Sequence, residues 1–154
     1  MVEPLHGVAK VPCKSCPYRK DVPSGVWAAT EYVKLPPYDG TIVEQLLGAG
    51  RPLFMCHQQD GNLCAGWLGT HGPKNLLALR LHVDSVKPEV FDYESPVPLF
   101  ASGAEACEHG LKGVKQPDAE AKRVIDRLFA KRKRDALRGP RKKPIVKSKR
   151  KRKS

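Results

Sequence analysis

The chain has 154 residues with 6% aromatic residues, 14 prolines and 13 glycines, which leaves room for one loop-rich domain and little for a second core. Its formal charge of +12 is unevenly spread: residues 131–154 carry 14 of the 28 Lys and Arg and one acid, Asp135, a balance of +13, so the first 130 residues stand at −1. No apolar run is long enough for a signal peptide or a membrane span, so no membrane insertion is expected and the predicted setting is a reducing cytoplasm.

In chain order, residues 1–12 show no periodicity and read as an extended lead-in. From Cys13 to Gly25 the prolines at 17 and 23 predict a knuckle and loop. Ser24 is the expected cap of a short helix from about Gly25 to Lys34, ended by Leu35-Pro36-Pro37. Asp39 is the expected cap of a second helix, with Ile42, Val43, Leu46 and Leu47 as its buried face and Gly48 and Gly50 as its stop. Pro52 to His57 reads as a strand that delivers Cys56, and Asp60-Gly61 as the turn before Cys64. A helix is predicted over Lys74–Val83, and a proline-bounded connector over Pro88–Pro98. Ser102 and Glu105 have capping-box spacing for a helix ending near Gly110. Pro117 opens a longer helix to about Arg138, striped by Ala121, Val124, Ile125, Leu128 and Phe129, with Asp118 and Lys122 as an ion pair. Gly139-Pro140 stops it.

Five cysteines in a reducing setting favour metal ligands over disulfides. Cys13 and Cys16 form a Cys-x2-Cys knuckle, and after 39 residues Cys56 and Cys64 form a Cys-x7-Cys pair. Four thiolates complete a tetrahedral shell with no open position, which suits structural zinc or an iron-sulfur cluster. Cys16-Pro17 is similar to the Cys-Pro ending of ferredoxin cluster motifs, whereas His57 and His71 offer variants with three cysteines and one histidine, which favour zinc. Cys107 is left over. Arg19, Lys20 and Asp21, beside the knuckle, are placed to balance thiolate charge, and Trp27 and Trp67 to pack around the site.

The strings Cys13-Lys-Ser-Cys-Pro-Tyr-Arg-Lys-Asp-Val-Pro-Ser-Gly-Val-Trp27, Phe54-Met-Cys-His57 and Leu63-Cys-Ala-Gly-Trp67 resemble a family of small uncharacterised four-cysteine proteins from actinobacteria and their phages. Over roughly residues 10–83 the resemblance implies a shared four-cysteine module in a bacterial cytoplasm, which could be that of a phage-infected host. It brings no activity with it.

The basic end presents Lys131, Arg132, Lys133, Arg134 and Arg138 on the helix, then Arg141, Lys142, Lys143, Lys147, Lys149, Arg150, Lys151, Arg152 and Lys153 beyond it. Such a segment neutralises phosphates, so the expected partner is DNA or RNA at low sequence specificity, or another polyanion. No phosphate-binding loop, nucleophile elbow or zinc-protease motif occurs, so nothing commits the chain to a reaction.

The expected architecture is α+β: an irregular metal-stapled domain over residues 1–116, an amphipathic basic helix over 117–138 and a disordered basic tail over 139–154. The leading function is a non-enzymatic four-cysteine metal-binding protein that associates with nucleic acid. The alternative is an iron-sulfur or thiol redox protein, enzyme or sensor, whose tail only localises it.

Overall fold

The computed structural model describes residues 4–59 and 61–138. The tail expected over 139–154 lies outside them. Eight short elements follow in order: β1 (Gly7–Val8), α1 (Ala29–Tyr32), α2 (Ile42–Leu47), β2 (Asn62–Leu63), α3 (Ala65–His71), α4 (Leu77–Leu81), α5 (Gly103–Leu111) and α6 (Ala119–Arg138), with 3-10 turns between several of them. The domain is therefore a small mixture of helices and one two-stranded sheet. No helix among the described residues is long and apolar enough to cross a membrane.

The sheet is small and central. β1 runs parallel to β2 with Gly7 opposite Asn62 and Val8 opposite Leu63. Leu63 also forms an antiparallel bridge to Met55. The lead-in thus supplies a strand, which two residues of backbone pairing could not announce through any side-chain alternation. Around it pack Tyr18, Leu35, Leu63, Trp67, Leu68, Leu76, Leu79 and Val90, all essentially inaccessible. Each such side chain contributes about 1.5–3 kcal/mol of burial energy.

Several local expectations are corrected. Gly25 has a φ of +79°, so no helix starts there; the first helix begins at Ala29, and the Ser24 hydroxyl lies beside His109 instead. Helix α2 is capped by Thr41, which exchanges a reciprocal pair of bonds with Glu44 (3.2 and 2.9 Å). Its apolar residues do not form the buried face. Val43, Leu46 and Leu47 are exposed, and Gln45 is the buried residue. Its amide donates to Gly40 O and Asn75 O and accepts from Leu77 N–H, so neither its nitrogen nor its oxygen is left unpaired by burial.

Asp39 caps a different helix from the expected one. Its carboxylate accepts from Gly103 N–H (2.7 Å) and Ala104 N–H (2.8 Å), at the start of α5, where Ser102 also accepts from Glu105 N–H. Before α4, the Cys-Ala-Gly-Trp segment forms helix α3, an element the sequence pattern left unread. Asp118 uses its carboxylate to cap α6 through Ala121 N–H (2.8 Å) rather than to pair with Lys122. Ala121 and Val124 seat that helix on the core, Ile125 and Leu128 are partly covered, and Phe129 is 64% exposed.

Candidate metal centre and the basic helix beside it

Cys56 and Cys64 stand on the two arms of a hairpin. Cys56 N–H donates to Asn62 O and Cys64 N–H to Phe54 O, both at 2.9 Å, on either side of the Met55–Leu63 bridge. Alternation along the arms then puts both cysteines on one face. The knuckle from Cys13 to Cys16, a turn closed by Cys16 N–H to Cys13 O (3.0 Å), lies against that face. Cys16 meets Cys64, with 3.8 Å between sulfurs, and Cys13 is near enough to Cys16 and Cys56 for both to shift its pKa. The sulfurs run as a chain of neighbours, 56–13–16–64. Among the described residues, no three His, Cys, Asp or Glu side chains are already closed around one point.

The donor set fits a soft tetrahedral ion. Thiolates about 2.3 Å from one such ion stand about 3.8 Å apart, which is the Cys16–Cys64 separation. Backbone amides are aimed at sulfur: Tyr18 N–H at Cys16, and Gln58 (3.4 Å) and Gln59 at Cys56. Gly66 is needed beneath the knuckle, because a Cβ there would collide with Cys16 Sγ. Cys13, Cys16, Cys56 and Cys64 are the residues that would hold the ion, and its chemistry would be structural, joining knuckle to hairpin.

Crowding raises the pKa values of Cys13, Cys16 and Cys56. Cys13 is raised chiefly by Cys16 and also by burial, against the opposing effect of Cys56. Cys16 is drawn down by the Cys13 thiol, but Cys64 and burial outweigh that and leave it well above the ordinary range. Cys56 is pushed far up by Cys13 and by burial, against the lowering effect of the Gln58 amide. Acids packed together resist ionising until a cation joins them. Arg19 supplies part of that charge: held by Asp21 (2.8 and 2.7 Å) and by Pro12 O (2.8 Å), its guanidinium is near enough for Cys13 and Cys16 to favour its charged form. Lys20 points to solvent.

The histidines are engaged elsewhere. His57 Nε2 meets the Glu31 carboxylate at 2.7 Å, and its ring lies 5.1 Å from that of Trp27. His71 packs edge-on to Tyr18, with Nδ1 3.6 Å from Asp39. Cys107 is buried on α5, and its neighbour His109 meets Val22 O through Nε2 at 2.8 Å.

Trp27 links the knuckle to the basic helix. Its Nε1–H donates to Ser15 O (2.7 Å), between the two knuckle cysteines, and the Arg132 guanidinium lies over its ring, 5.6 Å from the centroid. Lys131 Nζ reaches Gln58 O at 3.4 Å and Asp135 at 3.1 Å. Lys133, Arg134 and Arg138 are exposed on the same helix. Arg141, Lys142, Lys143, Lys147, Lys149, Arg150, Lys151, Arg152 and Lys153 lie outside the described residues. The Trp27–Arg132 contact could not be read from spacing, since the partners lie 105 positions apart in the chain.

A family model described as a family of unknown function (DUF6283) matches residues 8–131. The chain belongs to that family. The matched span includes all four clustered cysteines and the buried start of α6, and it ends at Lys131, where the basic run begins. No curated protein and no solved structure matches the chain.

Proposed function

We propose that the protein is a non-enzymatic module, stapled by a metal on four cysteines, that associates with nucleic acid through its basic C-terminal end. The observation that carries the metal half is the seating of the knuckle on the hairpin, with two sulfurs 3.8 Å apart and amides directed at Cys16 and Cys56. That separation favours one ion, zinc by its preference for closed thiolate shells, over a cluster spread across several irons. The nucleic-acid half is supported by the +13 balance of residues 131–154 against −1 for the rest, and by the exposure of the α6 bases.

Two measurements test it. Elemental analysis of native protein should give one zinc per chain, lost together with stability in Cys56→Ser and retained in Cys107→Ser, because metal binding and folding are linked. Iron with visible absorption would move the assignment to the redox alternative. Full-length protein should bind DNA or RNA with a log-log salt slope of several units, about −0.9 per phosphate on duplex DNA. Truncation after Arg138, which removes nine bases, should flatten that slope sharply. Equal slopes for both proteins would place binding in the domain.

A further inference from the structure

Between the start of α1 and the C-terminal part of the core-facing stripe of α6 lies a cavity of about 380 Å³, within the size range of small-ligand sites. Trp27, His57 and Glu31 line its inner side, and Leu128, Phe129 and Arg132 its outer side. Two features set it apart from ordinary packing space. Phe129 is 64% exposed although it continues the stripe that begins with the buried Ala121 and Val124. Arg132 follows Phe129 by three residues, so both side chains rise from one face of the helix, where the guanidinium lies over the Trp27 ring.

An exposed aromatic ring, a planar cation one turn away and a run of bases continuing along the helix match what single-stranded nucleic acid requires. Base faces stack on aromatic rings and on guanidinium planes while lysines and arginines follow the phosphates. Lys133, one turn beyond Phe129, is exposed and positioned for such a phosphate. A duplex cannot use the cavity, since its bases are already stacked and paired, and it would meet only the charge. We infer that this cavity is a stacking slot for an unpaired nucleobase, with Phe129 and Arg132 as the stacking surfaces, so that the protein prefers single strands to duplex. The inference rests on the nucleic-acid reading above and deepens it.

The test compares full-length Phe129→Ala with the unaltered protein, using a short oligothymidine and a duplex of equal length. Stacking of one base accounts for about tenfold in affinity. Phe129→Ala should therefore weaken single-strand binding by about tenfold and leave duplex binding and its salt slope unchanged, while Phe129→Tyr should retain single-strand binding. The exposed position makes misfolding an unsuitable explanation for a loss confined to one probe. Equal single-strand affinity in Phe129→Ala, with duplex binding intact, would overturn the slot and leave the electrostatic reading standing. Failure of the unaltered protein to bind either probe would overturn both.

Discussion

Burial holds the His71 imidazole below the usual histidine range, against the opposing pull of Asp39. Its side chain is 7% exposed, and its Nε2 has no hydrogen-bond partner among the described residues. Because the folded state disfavours the proton, this residue contributes stability in full above the unfolded pKa of about 6.5. The contribution is lost as pH falls from there through the lower folded pKa, as the unfolded chain takes up the proton first. The denaturant midpoint should fall as pH drops below the unfolded pKa of about 6.5, and His71→Asn should flatten that step. A midpoint equally steep in both proteins would assign the titration to another group. At this scale the gathering of the four cysteines was legible, since Cys-x2-Cys spacing is a constraint carried within four residues. The roles of His57 and His71 were not, because adjacency to Cys56 in sequence says nothing of Glu31 across the fold.

Capping shows which local rules survive in three dimensions. The Ser102–Glu105 and Thr41–Glu44 spacings both mark real helix starts, and the structure uses both. Asp39 precedes α2 closely enough to claim its cap, yet its two oxygens serve α5 from 64 and 65 residues away. A carboxylate that accepts two free amides at a helix start combines a cap with two charge-assisted bonds. Asp39→Ala should destabilise the domain by about 2 kcal/mol, and Asp39→Asn, with one acceptor oxygen, by roughly half as much. An unchanged urea midpoint in Asp39→Ala would show that α5 is held by packing alone. Helix α2 shows the converse failure. Its apolar residues recur at helical spacing, but buried Gln45 fastens it to Leu77 and Asn75, so hydrogen bonding rather than hydrophobicity chose its inner face. Helix α3 escaped reading because its seven residues include two glycines, and what holds it is the burial of Trp67 and Leu68.

Across the whole molecule, charge and packing divide the chain at nearly the same place. The family match ends at Lys131, the basic run begins there, and burial along α6 has already given way to exposure. That division was legible from counting charges. What joins the parts was not: Trp27 bonds to the knuckle at Ser15 O and carries Arg132 on its ring, a contact made only once α6 is docked. The four clustered cysteines are also unequal in a way that gives the module a front and a back. Cys13 and Cys56 are partly open, with Cys56 lining a surface cavity of about 580 Å³, while Cys16 and Cys64 are sealed behind them. Time therefore enters the chemistry of the cluster. In metal-free protein an alkylating reagent should mark Cys56 and Cys13 first and reach Cys16 and Cys64 only as the domain opens, a sequence that timed peptide mass mapping would read directly. Simultaneous labelling of all four would mean that the cluster opens as one body. By the same asymmetry, the ion proposed above would meet the outer pair first and the inner one last, and would leave in the reverse order.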